Sequence, residues 1–278
     1  MAEIEFDGSS GPGAGNRWWD QFHLRPGTTG HWRVGPLRLW IRRDPRELWV
    51  ARETAPEGEE DVLAVEIPAR APAGSRASVT RYAVREGHDI FRLEPALADR
   101  PVVVDAEHAF FVPPGEEAIL YLSAPLWYRL RVAQTGAILE DVPLRRPSDT
   151  WFGPTTLTGE LCYAMTTSAQ LDLESLPPRP HCAVSAVQVH NGGTERLLLE
   201  KMKLPAPNLS LFATPAGLLW TETLHVRHEE DDQPATVRLG GGPPAAAGPA
   251  EPIAGPRQGL RKGIVVEALG TLFGRQPG

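Results

Sequence analysis

The chain has 278 residues, a formal net charge of −7 and 41% hydrophobic residues. This size and composition suit a folded protein that can bury its core without disulfide bonds, and the acidity argues against a dedicated nucleic-acid binder. Its 27 glycines and 28 prolines interrupt every long helical pattern before the C-terminal tail. The sequence therefore predicts an all-β protein.

The location and the cofactor content follow from what the sequence lacks. The N-terminus does not resemble a secretory signal, and no run approaches the ~20 apolar residues of a membrane helix. Cys162 and Cys182 are the only cysteines, and they form neither a disulfide framework nor a metal-binding motif. No glycine-rich phosphate loop opens a helix. We expect a cytoplasmic protein with reduced thiols and without a cofactor or metal.

The first half of the chain shows short alternating segments. Residues 1–16 are predicted to be disordered. In 34–43, Leu37, Leu39 and Ile41 alternate with Arg38, Trp40 and Arg42, which is typical of a half-buried strand. Segments 48–52 and 62–67 are predicted to pair across an acidic loop. Further strands are predicted at 77–84, 89–93, 102–104, 109–112, 118–123, 126–133 and 137–142.

The second half continues in the same style. Strands are predicted at 157–167 and 182–190, a return strand at 196–202 after the turn 191–193, a hairpin over 209–227 and a strand at 235–239. A Pro/Gly/Ala linker follows. After it, the spacing of Ile264, Val265, Leu269, Leu272 and Phe273 fits a short amphipathic helix, with a strand at 264–266 as the alternative.

These elements predict two antiparallel β-sandwich-like modules, 17–145 and 146–240, with a tail at 1–16 and a linker and tail at 241–278. One large sandwich is the alternative.

The segment Ser148-Asp149-Thr150, followed by Trp151-Phe152, is the first candidate binding site. It can be a polar ligand loop backed by aromatic side chains. It can equally be a structural turn in which Ser148 and Asp149 bond to nearby backbone.

The second candidate binding site is an Arg/Trp face on Arg38, Trp40 and Arg42. Five of the eight tryptophans lie in 17–52, together with an excess of arginine. This pattern suits an anionic ligand or a nucleic acid. Alternatively, the arginine stems only cover apolar surface, and the acidic residues of 53–66 neutralise the face.

Four possible catalytic or metal-binding groups have less support than these two binding sites. Ser148 lacks a Gly-x-Ser-x-Gly elbow, and Cys162 lies in mid-strand, where cysteine usually acts as a small hydrophobe. His225 and His228 are three positions apart on a predicted strand, so they point to opposite faces. Asp149 and Glu160 could serve a glycoside hydrolase only if they meet across a cleft. We therefore assign no catalytic residue.

Five segments carry a resemblance: 17–43, 98–104, 147–167, 202–213 and 217–221. Over roughly 17–240 the chain resembles a prokaryotic family catalogued as domain of unknown function 432. The resemblance implies no established activity, cofactor or catalytic residue. Some members are encoded beside mechanosensitive channel genes, which implies such a channel as a candidate protein partner.

From the sequence we expect a non-enzymatic binding or accessory module that acts through aromatic-rich loops. The alternatives are a hydrolase or carbohydrate-active protein, and binding of an anionic polymer through the Arg/Trp face.

Overall fold

A computed structural model describes residues 17–70, 77–153, 159–167, 169–229, 235–259 and 266–267. In these ranges the chain forms strands and three short 3-10 helices, at Leu173–Ser175, Ala206–Asn208 and Ala245–Ala247, which confirms the all-β prediction. The strands are β1 (Asp20–His23), β2 (Thr29–Val34), β3 (Leu37–Asp44), β4 (Glu47–Thr54), β5 (Leu63–Glu66), β6 (Ser78–Ala83), β7 (Ile90–Leu97), β8 (Val102–Val112), β9 (Glu117–Val132), β10 (Ile138–Pro143), β11 (Ser148–Phe152), β12 (Glu160–Thr167), β13 (Cys182–Asn191), β14 (Leu197–Leu204), β15 (Leu211–Ala213), β16 (Leu219–Trp220), β17 (Leu224–His228), β18 (Thr236–Leu239), β19 (Glu251–Ala254) and β20 (Val266–Glu267).

Some predictions concern residues outside these ranges. The predicted disordered tail, 1–16, and the helix pattern at Ile264, Val265, Leu269, Leu272 and Phe273 lie outside the described residues. Val266, which belonged to the alternative strand prediction, is described and pairs with Val237 in β18.

Contacts divide the chain into two compact units: Met1–Glu94 with Tyr128–Leu144, and Pro95–Trp127 with Arg145–Gly278. The chain passes between the units three times: inside β7, inside β9, and between Leu144 and Arg145. Both β7 and β9 are longer than the strands predicted from the sequence. The predicted modules, 17–145 and 146–240, share the division near residue 145 but place 95–127 in the first module. The two predicted modules therefore remain a prediction.

The first unit contains a five-stranded sheet in the order β5-β2-β3-β4-β6, with antiparallel pairing throughout. Leu37, Leu39 and Ile41 are buried, which confirms the predicted alternation in β3. The predicted pairing of 48–52 with 62–67 is wrong. β4 lies between β3 and β6, and β5 pairs with β2 instead. Alternation defines which face of a strand is buried but not which strand lies beside it.

A buried polar cluster, which we call the Glu140 cluster, joins four strands of the first unit. The Glu140 side chain is 2% exposed. It accepts hydrogen bonds from the hydroxyls of Tyr128 in β9 and, at 3.0 Å, Tyr82 in β6. The Arg52 guanidinium in β4 lies 3.7 Å from its Oε1 atom. The cluster therefore ties the β9–β10 hairpin to the five-stranded sheet of this unit.

The cluster makes the unit sensitive to alkaline pH. Burial, followed by the Glu140 carboxylate, raises the pKa of Tyr82 to about 12 and the pKa of Tyr128 well above its ordinary value. The folded state therefore keeps a proton that an unfolded tyrosine releases near pH 10. Stability contributed by Tyr82 is present below about pH 10 and is lost as the pH rises from there towards 12.

We expect the free energy of unfolding, measured with urea, to fall between about pH 9.5 and 11.5, and to fall less steeply in Tyr82→Phe. Tyr121→Phe is the control, because that ring lies near Trp220 in the second unit and not in the Glu140 cluster. Equal pH slopes for the wild type and Tyr82→Phe would contradict this role of Tyr82.

The second unit is built on two sheets. One has the order β11-β12-β8-β14. In the other, the unit's part of β9 pairs with β13, and β13 also pairs with β16 and β17. β12–β8, β13–β16 and β13–β17 are parallel pairs, which departs from the antiparallel pairing expected. Apolar side chains such as Val102, Val104, Leu120 and Val189 fill the core.

Two predictions in this unit need correction. The strand after the turn at 191–193 was expected to return alongside β13, but β14 pairs with β8, which is one continuous strand rather than two. The stretch predicted as a linker from residue 241 contributes β19, which pairs with β15, and Gln258 donates its backbone N–H to Pro207. The hairpin predicted over 209–227 is confirmed for β15 and β16, whereas β17 pairs with β13 and β18.

In the described ranges, no helix has the length and apolar character needed to cross a membrane.

Candidate functional site

The segment Ser148–Phe152 forms an edge strand and not the predicted loop. All five of its residues pair with β12 in an antiparallel ladder, from Ser148 opposite Ala164 to Phe152 opposite Glu160. Thr150, Trp151 and Phe152 are residue types that favour strands, and they outweigh the turn preference of the two preceding residues. The candidate site is therefore a sheet edge with fixed geometry.

Trp151 and Leu161 form an exposed apolar pair on this edge. They are opposite each other in the ladder, and they are 47% and 43% exposed. The indole of Trp151 lies against Gly159, where an added Cβ would stand 2.7 Å from Cε2 and 2.8 Å from Cδ1. Only glycine leaves room for this ring position. Trp151 is thus held in place and still presents almost half of its surface to solvent.

A charged and aromatic cluster lies two residues along the same face. Asp149 is opposite Tyr163 in the ladder and is 3.1 Å from the Arg100 guanidinium. Arg100 also lies over the Tyr163 ring, 5.3 Å from its centre. The Tyr163 hydroxyl donates to Asp99 at 2.9 Å. Burial, followed by this bond to Asp99, raises the pKa of Tyr163.

Asp149 and Glu160 do not form a pair of catalytic carboxylates. Glu160 is opposite Phe152, three positions along β11 from Asp149, so the two side chains point to opposite faces. Glu160 is paired with Lys203 at 3.0 Å, whereas Asp149 is paired with Arg100. This arrangement removes the candidate pair on which the glycoside hydrolase alternative depended.

Cys162 does not have the properties of a catalytic thiol. Its side chain is buried, with its Sγ 3.6 Å from the Glu160 carbonyl oxygen. Burial, followed by the Glu160 charge, raises the pKa of the thiol to about 11. Because the thiolate is the reactive form, Cys162 stays inert near neutral pH.

We expect Cys162 in a Cys182→Ser variant to react with an aromatic disulfide reagent at pH 8 only after urea unfolds the chain. In Cys162→Ser, the half-buried Cys182 should react faster in the folded state. The measurement is the absorbance of the released thiolate. Rapid reaction of Cys162 in the native protein would show that this thiol is accessible and ionised.

The second candidate binding site, the Arg/Trp face of the first unit, is neutralised within the unit. Arg38 is almost buried and forms an ion pair with Glu59, and Arg42 is 3.1 Å from Asp44. Trp40 stacks on His31 with the ring centres 4.4 Å apart. These contacts agree with the alternative in which nearby acids neutralise the charge of the face.

The histidines considered as metal ligands lie on β17. His225 is exposed, the adjacent Val226 is buried, and His228 is three positions from His225, so the two imidazoles do not converge. The acidic residues 230–232 lie outside the described residues. Within the described ranges, no group of three or more His, Cys, Asp and Glu side chains is arranged to hold a metal ion.

Sequence reasoning missed the partners of Asp149 and the importance of Gly159. Arg100 and Asp99 precede β8, about fifty residues before Asp149, and no local pattern connects them. The alternation of Leu161 and Tyr163 in the predicted strand 157–167 did indicate that these two side chains share a face. The residue opposite each of them depended on the pairing of β11 with β12.

The fold and this edge define an all-β protein of two compact units whose second unit presents an exposed apolar pair, Trp151 and Leu161, beside a charged cluster. A family model described as "Protein of unknown function (DUF432)" matches residues 18–272, and the chain belongs to that family. The match continues past residue 240, where the resemblance noted in the sequence ended. Neither the curated proteins nor the solved structures contain a match to this chain.

Proposed function

We propose that the chain is a non-enzymatic binding or accessory module whose second unit contacts a protein partner through Trp151 and Leu161. The observation that carries the proposal is the exposed Trp151 indole held against Gly159. Tryptophan is enriched among the residues that dominate binding energy at protein interfaces. A ring that is already fixed loses little conformational entropy on binding.

Two other exposed aromatic side chains of the described residues serve for comparison. Trp49 in the first unit lies under the Arg81 guanidinium, 4.6 Å from the ring centre, and donates to Glu47. Phe111 in the second unit lies under Arg196, also at 4.6 Å. Each of these two rings packs against a cation of its own chain. Trp151 lies directly across the ladder from an apolar side chain, Leu161.

Affinity capture from the native cells, with the membrane fraction included, tests the proposal. The membrane fraction is needed because the family resemblance implies a mechanosensitive channel as a partner. We expect mass spectrometry to identify a stoichiometric protein with the wild-type chain and with Trp49→Ala, and to find it depleted about tenfold or more with Trp151→Ala. Trp49→Ala is the matched control, since it also removes an exposed indole.

Recovery of the same partner with Trp151→Ala would contradict the proposal. So would a saturable turnover that substitutions in the second unit abolish, since that result would identify an enzyme.

A further inference from the structure

We propose that the partner supplies an extended peptide segment that adds as a further strand to the free side of β11. The segment places an apolar side chain beside Trp151 and an acidic side chain near Arg146. This inference rests on the proposed function and names the chemistry of its partner.

The position of β11 in its sheet favours strand addition. β11 is the terminal strand in the order β11-β12-β8-β14, and in the described part of the chain it pairs only with β12. A terminal strand leaves a row of backbone N–H and C=O groups that can pair with another chain. Extended peptides bind many sheet edges in this way, with specificity from alternate side chains.

β11 carries little of the protection that usually blocks a sheet edge. Lysine, proline and inward-pointing charges are the common devices. Within Ser148–Phe152 the only charged residue is Asp149, and its carboxylate is engaged by Arg100 at 3.1 Å. Pro147 precedes the strand and so does not interrupt its ladder. The edge can therefore accept a peptide backbone along its length.

The side chains of the edge favour an apolar residue at one position of the added peptide, which we call the guest. Trp151 and Leu161 occupy one cross-strand row. A strand added beside β11 extends this row by one residue, whose side chain lies about 5 Å from that of Trp151. An apolar side chain there covers the exposed indole. The row of Asp149 and Tyr163 lies two residues away on the same face and is more polar.

The positive charge near the start of β11 favours an acidic residue at one end of the guest peptide. Although the whole chain carries a net charge of −7, two exposed arginines, Arg145 and Arg146, lie just before β11 and are separated from it by Pro147. Arg146 forms no ion pair with any other described residue. The nearby carboxylates of Asp149 and Glu160 are already paired with Arg100 and Lys203. An acidic residue of the guest complements the charge that remains at this end of the edge.

The test uses the full chain and a displayed library of random peptides of about ten residues. We expect selected peptides to alternate apolar and polar residues and to carry Asp or Glu towards one end. Isothermal titration with a synthetic selected peptide should show a loss of affinity of about tenfold or more in Trp151→Ala. We expect a smaller loss in Arg146→Glu and no change in Trp49→Ala.

Two further variants separate binding geometry from loss of folding. Gly159→Ala keeps the tryptophan but displaces its indole, so it should also weaken the peptide, while circular dichroism reports whether each variant retains its strands. Peptides with N-methyl groups on alternate amides test the backbone bonds. Methylation on the side facing β11 should abolish binding, whereas methylation on the opposite side should leave it intact.

Several results would overturn strand addition. These are a library that yields no binder, a selected peptide that binds Trp151→Ala unchanged, and equal binding of the two N-methylated peptides. Self-association lost in Trp151→Ala would make a second copy of the chain the occupant, and Trp151-dependent binding on a glycan array would assign a carbohydrate. If a cellular protein is captured through Trp151 while peptides fail, the proposed function stands and only the peptide mode is rejected.

Discussion

Glu140→Ala is expected to destabilise the first unit by about 3–5 kcal/mol, because removing one partner of a buried ionic cluster leaves the others uncompensated. The substitution takes the acceptor from the Tyr82 and Tyr128 hydroxyls and leaves the Arg52 guanidinium without its counter-charge. It also creates a cavity at a side chain that is 2% exposed. The measurement is urea unfolding followed by tryptophan fluorescence.

Glu140→Gln separates the charge from the shape. The amide oxygen can still accept from one tyrosine hydroxyl, so we expect a smaller loss of about 1–3 kcal/mol. Glu57→Ala, at an exposed position in the loop between β4 and β5, is the control and should change the free energy of unfolding by less than about 0.5 kcal/mol. A loss for Glu140→Ala no larger than that of the control would show that the cluster does not stabilise the unit.

Arg43→Ala is the second substitution with a large expected effect. The Arg43 side chain is fully buried. It donates to the carbonyl oxygens of Arg85 and His88 at 3.2 Å each, and to Asp89 Oδ1 at 3.1 Å. Alanine removes these hydrogen bonds and the ion pair with Asp89, and it opens a cavity where the guanidinium was fully buried. We expect a loss of about 3–5 kcal/mol in the free energy of unfolding.

Two neighbouring variants check this argument. Arg42→Ala is the matched control, because Arg42 is the adjacent arginine on β3, is half exposed and pairs with Asp44. An exposed pair of this kind contributes about 0–1 kcal/mol. Arg43→Lys keeps the charge but loses the planar fork of donors, so its cost should fall between those of the two alanine variants. Equal losses for Arg42→Ala and Arg43→Ala would rule out a structural role for the buried guanidinium.

Arg43 and Glu140 show where reading the sequence alone fails. The alternation of Leu37, Leu39 and Ile41 continues to Arg43 and so indicates the core face, but a charged residue at the end of a strand is ordinarily read as exposed. In β10, polarity would place Leu139 inside and Glu140 outside, whereas Glu140 is the buried residue. Both charges are buried because partners from distant parts of the chain surround them: the loop between β6 and β7 for Arg43, and three other strands for Glu140.

For the candidate binding residues too, the sequence indicated part of the result and the tertiary structure decided the rest. In the sequence, three polar residues followed by two aromatic ones identified Ser148–Phe152 as a candidate binding site. Its local signals were balanced between turn formers and strand formers, and the pairing with β12 decided for a strand. The Arg/Trp face on Arg38, Trp40 and Arg42 was recognised from its alternation. Its neutralisation required the loop that carries Glu59 to return to β3.

The sequence by itself determined the all-β class, most strand positions and the buried face of β3, because turn residues and side-chain alternation are local properties of the chain. Tertiary structure alone decided that β14 pairs with β8 and that β12 runs parallel to β8. It also brought Arg100 to Asp149 and packed Trp151 on Gly159. Strand pairing joins residues that are far apart in sequence, and short alternating strands are interchangeable until side chains from all of them fill a common core.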